Sequence, residues 1–206
     1  MLTVWGRNNS INVQKVMWTI GELGLAHERL DVGGPFGGLD GEDYRRLNPN
    51  RRVPTLQDGD FTLWESNAIV RYLAAAYGSD PFLPADLHDR ARADQWMDWM
   101  TTTILPPMTT AFWGLIRTPP ERRDETAIRQ ALEACVQAFV LLDEALEGRD
   151  YLVGDALTIG DVPVGCATYR WYAMPIERPA LPRLEAWYAR LKARPAFAEQ
   201  VMIPLS

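Results

Sequence analysis

Lysine, cysteine and histidine are nearly missing from this chain: only Lys15 and Lys192, Cys135 and Cys166, and two histidines occur in 206 residues. The cysteines stand far apart and in no CxxC spacing, so neither a disulfide framework nor a metal site is indicated, and both read as buried apolar fillers. With a net charge of −6 there is no basic excess to build a face for nucleic acid. No run of about 18 apolar residues occurs. Met1 leads straight into Leu2-Thr3-Val4-Trp5 rather than a charged and then apolar leader, so the expectation is a soluble cytoplasmic protein with no membrane partner. The lysine shortage leaves arginine carrying nearly all the positive charge, and a guanidinium grips carboxylates through two parallel hydrogen bonds where an ammonium cannot.

What is present is apolar substance, 47% of the residues, enough to bury substantial cores. Leu2 to Trp5 reads as a strand, and Val13, Val16, Met17, Ile20 and Leu23 form a helical stripe ending near Gly24. Glu28 to Val32 reads as a second strand. A glycine-rich loop from Gly33 to Gly38 and a short helix near Asp40 to Leu47 come next. Asp58-Gly59 marks a hairpin between Thr55–Gln57 and Phe61–Trp64, and a helix opens at Ser66 with Ile69, Tyr72, Leu73 and Ala76 on one face. The order is βαβ then ββα. Two prolines and a glycine from Gly78 to Pro84 interrupt any further helix, and beyond them the chain is helical. One long stripe joins Ile128, Leu132, Cys135, Phe139, Leu142 and Leu146 up to Gly148, and Pro106-Pro107 predicts a kink in the helix before it. Thr158 to Asp161 fits a capping box, with Leu157 and Val162 as its hydrophobic staple, a folding element rather than a site.

Two segments carry chemistry: Asn48 to Leu56, reading NPNRRVPTL, and Leu63 to Leu73, reading LWESNAIVRYL. Pro54 cannot donate to a sheet ladder, so it is expected at the start of an edge strand, where a cis bond costs little. Ser66 is expected to cap its helix, whose outward N–H groups attract a carboxylate. Glu65 beside it can pair with an amino group, so the two match both charges of an α-amino acid head.

Together these segments resemble the glutathione-binding half of the cytosolic glutathione transferases, and the likeness extends over the whole chain, more loosely after residue 80. The resemblance implies an α/β thioredoxin-like domain with a four-strand mixed sheet at 1–78, a linker at 79–85, and an all-α domain at 86–206 that forms the electrophile site. It implies glutathione as co-substrate, no metal, and a homodimer. Val53-Pro54 would carry a cis peptide facing the cysteinyl part, Glu65, Ser66 and Asn67 would hold the γ-glutamyl end, Arg51 or Arg52 the glycyl carboxylate, and Phe36 would either cover the tripeptide or anchor its own loop.

In these families a tyrosine, serine or cysteine in the first strand–helix loop ionises the thiol. Here that loop, Gly6 to Asn12, has neither tyrosine nor cysteine. Ser10 aligns with the serine of the serine-type classes, although Asn12 stands where these commonly place proline; Ser10 could equally be a helix cap, with Asn9 or Asn12 directing an amide N–H at the sulfur. For the electrophile pocket the apolar candidates are Met108, Phe112, Trp113 and Trp171, against a base rate that puts about half of such aromatics in the core. Asp94 and Asp98, four apart on one helix face, are either solvated or reach a partner subunit's glutathione. The expected activity is conjugation of glutathione to small hydrophobic electrophiles. A glutathione-dependent disulfide or peroxide reductase, and a non-catalytic binding or regulatory protein on the same scaffold, are the alternatives.

Overall fold

The computed structural model describes residues 1–206. Strand β1 (Leu2–Trp5) pairs in parallel with β2 (His27–Leu30) and antiparallel with β3 (Thr55–Asp58), which pairs antiparallel with β4 (Phe61–Trp64), giving the order β2-β1-β3-β4. β2 ends two residues earlier than its sequence suggested. Pro54 does not begin an edge strand either: it precedes β3, an interior strand. Its missing donor costs nothing because the ladder starts one residue later, with Thr55 opposite both Trp5 and Trp64. The hairpin tip is Gly59-Asp60, with Gly59 at φ 58° and Asp58 still paired to Phe61.

Helix α1 (Ile11–Glu22) follows β1, α2 (Glu42–Leu47) follows the glycine loop, and α3 (Ser66–Tyr77) follows β4. Leu2, Val4, Val13, Val16, Met17, Ile20, Leu56, Ile69 and Leu73 form the small core between the sheet and α1 and α3. The other side of α1, with Ile11 and Trp18, belongs to a second and much larger core shared with the later helices. α1 is thus buried on both sides, which explains why even Gln14, Lys15 and Thr19 are inside.

The later helices are α4 (Leu87–Trp99), α5 (Leu105–Phe112), α6 (Glu125–Ala145), α7 (Asp161–Ala173), α8 (Pro182–Lys192) and α9 (Pro195–Gln200). None is long and apolar enough to cross a membrane. Asp86 caps α4, accepting from the N–H groups of His88 and Asp89. No break separates α4 from α5. A π-turn, Met100–Ile104, joins them, with the Leu105 N–H reaching back to the Met100 carbonyl, and a second π-turn, Trp113–Arg117, follows α5. The expected proline interruption therefore takes the form of a widened turn just ahead of Pro106-Pro107, which receives proline rings without ending the helix.

α7 meets α1 where Gly165 faces Trp18; a Cβ at Gly165 would stand 2.8 Å from the Trp18 ring. The far end of α1 is tied to the segment before α9: Glu22 accepts from Arg194 Nε and Nη2 at 2.8 and 2.7 Å and from Trp18 Nε1 at 2.7 Å.

Asp161 at the start of α7 is fully buried and does more than complete a capping box. Its Oδ1 accepts from Leu152 N and Trp187 Nε1, both at 3.0 Å, and its Oδ2 from Thr158 N at 2.9 Å and Thr158 Oγ1 at 3.1 Å. Burial raises its pKa, and the four donors oppose that shift. One carboxylate thus joins α7, α8 and the loop before them. Asp161→Ala would leave several buried donors unpaired, so the expected loss is about 3–5 kcal/mol, well above a simple cap. In a chain of this length that is a drop of roughly 10 °C in melting temperature; calorimetry showing a fall of only a degree or two would reduce Asp161 to an ordinary cap.

Candidate active site

Ser10 occupies the cap position of α1, extended at φ −87° and ψ 123°, and its carbonyl accepts from Gln14 N at 2.9 Å. Its hydroxyl makes no capping bond, so a residue of the capping type stands at a helix N-terminus with its side chain uncommitted. Asn9 is fully engaged: its Oδ1 accepts from Arg7 Nη1 at 2.7 Å, its Nδ2 donates to Ser206 Oγ at 2.6 Å, and its carbonyl accepts from Arg170 Nη2 at 3.0 Å. Asn12 lies in the first turn of α1, where its Oδ1 accepts from Ser66 Oγ at 3.3 Å.

Across from that loop, the Val53-Pro54 peptide is cis. Two buried residues outside the predicted site hold this bend. Tyr44 Oη and Asn48 Nδ2 each donate to the Arg52 carbonyl at 2.8 Å, and both meet Thr55 Oγ1, at 3.0 and 3.2 Å. Asn48-Pro49, which opens the motif, is the sequence signal for the second of them. Arg51 is exposed, with φ 51°, and pairs with Asp40 at 3.4 Å, whereas the Arg52 side chain is exposed and makes no ion pair.

At the next junction Glu65, not Ser66, takes the cap position, at φ 73°. A non-glycine residue there costs about 1 kcal/mol or more, strain of the kind that gathers at functional sites. Because Glu65 turns the chain, Ser66 is already helical, and its hydroxyl points across to α1 rather than capping its own helix: it donates to Asn12 and accepts from Lys15 Nζ at 3.5 Å. Asn67 Nδ2 donates to the Met97 carbonyl at 2.9 Å and Thr101 Oγ1 at 3.1 Å, binding α3 to α4 and the π-turn beyond it.

Asn12, Lys15, Glu65, Ser66 and Asn67 surround a cavity of about 400 Å³ that opens toward Asp98 and Thr102. A larger hollow, about 560 Å³ between Glu22, Asp80, Tyr151 and Arg194, contains none of the loop or strand-end residues. Lys15 was not foreseen as part of this site. It is 1% exposed, and burial lowers its pKa to about 8, with Cys166 and Glu65 opposing and Arg170 reinforcing the shift. A lysine inside an apolar stripe gives no sequence signal of its own beyond its rarity here.

The predicted electrophile wall is mostly interior. Met108, Phe112 and Trp171 are buried, the last stacked on Phe139 with centroids 4.7 Å apart, because the stripe facing α6 and α7 is the one the core needs. Trp113, in the second π-turn, is 52% exposed and remains available. Phe36 is 56% exposed in a 3₁₀ turn, Gly34–Phe36, and so anchors no core. Asp94 and Asp98 are not free: Arg71 bridges them, Nε to Asp94 at 2.5 Å and Nη2 to Asp98 at 2.8 Å. Both cysteines are buried with thiols pushed up to about 12 by desolvation, which leaves them protonated and unreactive.

Comparison with known proteins gives these features a common origin. Residues 1–75 match the family model of the glutathione S-transferase N-terminal domain and residues 97–195 that of the C-terminal domain. The chain is 42% identical to glutathione S-transferase GstB of Escherichia coli K12 over the full length of both. It is 34% identical to mouse glutathione S-transferase theta-1 over 73% of this chain and 65% of that one. Its fold superposes with a TM-score of 0.96 on the glutathione-bound theta-class glutathione S-transferase of Xanthomonas axonopodis pv. citri, at 49% identity, covering 100% of this chain and 99% of that one. The chain therefore belongs to the glutathione S-transferase family.

Proposed function

We propose that the protein holds glutathione between the β1–α1 loop and the β3 and α3 entrances, and joins its thiolate to an electrophilic carbon of a small acceptor. The observation that carries this reading is that the first turn of α1, with Asn12 and Lys15 just after the uncommitted Ser10, and the N-terminus of α3 at Glu65-Ser66 line one cavity. Glutathione brings two carboxylates, one amino group and a thiol. Ser66 and Asn67 offer N–H groups at the positive end of α3 to the γ-glutamyl carboxylate, and Glu65 meets the amino group. The backbone at Val53, ahead of Pro54, pairs with the cysteinyl unit. Arg52, exposed and without an ion pair, is better placed than Arg51 to meet the glycyl carboxylate, and Phe36 covers the tripeptide. The division of labour follows the chain: residues 1–78 bind glutathione, 79–85 connect, and 86–206 supply the acceptor side. The protein acts as a cytoplasmic homodimer, as the family resemblance implies, and exposed Trp64 and Leu87 are apolar area available to such a contact.

Chemistry begins with the thiol. An ordinary thiol titrates near pH 8.5 and only its thiolate attacks. The Ser10 hydroxyl, free of any capping duty, donates to the sulfur beside the positive end of α1, with Asn12 as the second donor. A drop of about two pH units, roughly 2.7 kcal/mol in favour of thiolate, is enough to ionise it near neutrality. The sulfur lone pair then forms the new bond to carbon while the leaving group departs with its electron pair. With both cysteines buried and protonated, no step passes through an enzyme thiol.

Absorbance of the thiolate in the bound complex, followed against pH in wild type, Ser10→Ala and Asn12→Ala, tests the reading. The expected outcome is a bound thiol shifted down by about two units that returns toward its free value in Ser10→Ala. A shift that survives Ser10→Ala and disappears in Asn12→Ala moves the role to Asn12, and absence of glutathione binding sinks the proposal. Lys15 gives a separate prediction, read with S-methylglutathione so that no thiol titrates. An ammonium under Ser66 attracts the γ-glutamyl carboxylate only while protonated, so affinity falls as pH rises through about 8. Lys15→Met should bind about tenfold more weakly at pH 7 and show no such fall up to pH 8.5. A parallel pH profile in mutant and wild type would remove Lys15 from binding.

A further inference from the structure

Three arginines from distant parts of the chain gather beside Ser10. Arg7 follows β1, Arg117 ends the second π-turn, and Arg170 lies in α7. Arg7 and Arg170 both donate to Asn9, the neighbour of Ser10. Arg117 donates Nε at 3.1 Å and Nη2 at 2.8 Å to the Ser206 carbonyl, and Ser206 is itself bonded to Asn9 through its hydroxyl. None of the three pairs with an aspartate or glutamate, although Arg71, Arg183 and Arg194 all do.

Guanidiniums gathered this closely repel one another, and the Ser206 main-chain oxygen meets Arg117 alone. Arg170 is 8% exposed, and both Arg7 and Arg170 keep a buried Nε–H with no acceptor. Burial lowers the pKa of Arg170 to about 10, and Arg117 and Arg7 add to the shift; Arg7 is lowered by burial and by Arg117, and Arg117 by burial. Aromatic faces offset part of this: Arg170 lies 4.2 Å and Arg117 5.1 Å from the Phe112 centroid, and Arg117 lies 4.8 Å from that of Trp113. The carboxylates of glutathione already have partners in Ser66 and the Arg51-Arg52 bend. The arginine cluster is therefore surplus to the tripeptide, yet it adjoins the residue that would face its sulfur.

We propose that Arg7, Arg117 and Arg170 form an acceptor subsite for electrophiles that carry a carboxylate, with Trp113 flanking the apolar part of the molecule. The proposal rests on the transferase reading above and narrows it from apolar acceptors to anionic ones. The carboxylate takes the unpaired guanidinium N–H groups of Arg7 and Arg170 and displaces the Ser206 main-chain oxygen from Arg117. Glutathione sulfur then attacks the nearby carbon, the carbon–sulfur bond forms, and a halide leaves with the bonding pair while the carboxylate is unchanged.

Two measurements test this. In the first, 3-nitrobenzoate and its neutral counterpart 3-nitrobenzamide are titrated calorimetrically into wild type, Arg7→Gln and Arg117→Gln, with and without glutathione. In the second, conjugation of 4-chloro-3-nitrobenzoate and 4-chloro-3-nitrobenzamide is followed, each rate divided by its uncatalysed rate. The expected result is that the wild type prefers the benzoate by about tenfold or more in both measurements. That preference should weaken with added salt and fall about tenfold in either variant, with Arg117→Lys intermediate because it keeps the charge but loses the fork. Equal binding of acid and amide, or a preference unchanged in both variants, overturns the subsite and leaves the arginines as ties for the chain end. Arginine-dependent anion binding without chloride release from either compound would uphold the anion site and overturn the transferase reading instead.

Discussion

One buried carboxylate organises the half of the molecule that the active site leans on. Asp161 satisfies four donors from α8, the α7 entrance and the loop before it, and so fixes where α7 begins. α7 in turn carries Gly165, whose missing side chain lets Trp18 of α1 close in, and Arg170, whose guanidinium holds the Asn9 carbonyl. The position of Ser10 is therefore set from beneath by a helix more than 150 residues away in sequence as well as by the strand before it. Glu22 with Arg194 does the same at the other end of α1. On the proposed chemistry such tight support matters, since positional looseness of an ångström weakens a catalytic hydrogen bond severely.

Cations are placed sparingly, and the buried ones are all near the same helix end. Eight of the remaining arginines form ion pairs, and those at the surface are worth little individually. Lys15 and Arg170 instead lose solvent without forming an ion pair, Glu65 acting on Lys15 only at longer range. Such an arrangement is unfavourable for folding and favourable for binding anions, and glutathione with a carboxylated acceptor would bring several. The acidic overall charge and the cationic site are thus compatible: net charge sums over the whole chain, while the local field is set by the few groups inside.

The fold was largely legible because its signals are local. A proline before an apolar pair, a glycine at a hairpin tip, and apolar stripes at helical spacing read directly as the β3–β4–α3 unit and the long α6. Strand order was another matter: nothing in the Pro54 segment says that β3 pairs on both sides. Of the candidate site, Val53, Glu65, Ser66 and the motif's opening Asn48 are legible in local sequence, while Tyr44, Lys15 and Arg170 are not. Their roles come from long-range contacts. Phe112 and Trp171 were misplaced for the same reason, since an aromatic at helical spacing looks alike whether its stripe faces a cleft or a neighbouring helix.

The two π-turns give the α4–α5 run a property that an ordinary helix lacks. Each admits one residue beyond the regular spacing, so everything after it is rotated by roughly 100° relative to an uninterrupted helix. The first rotation points Met108 and Phe112 inward, and the second ends at Arg117, whose guanidinium reaches Ser206, itself bonded to Asn9 of the β1–α1 loop. Removing a single residue from either turn would relax the backbone to a plain α-helix while turning the downstream side chains to the wrong neighbours. The length of this stretch is consequently fixed to the residue, and room for insertions in the acceptor half lies in its connecting loops.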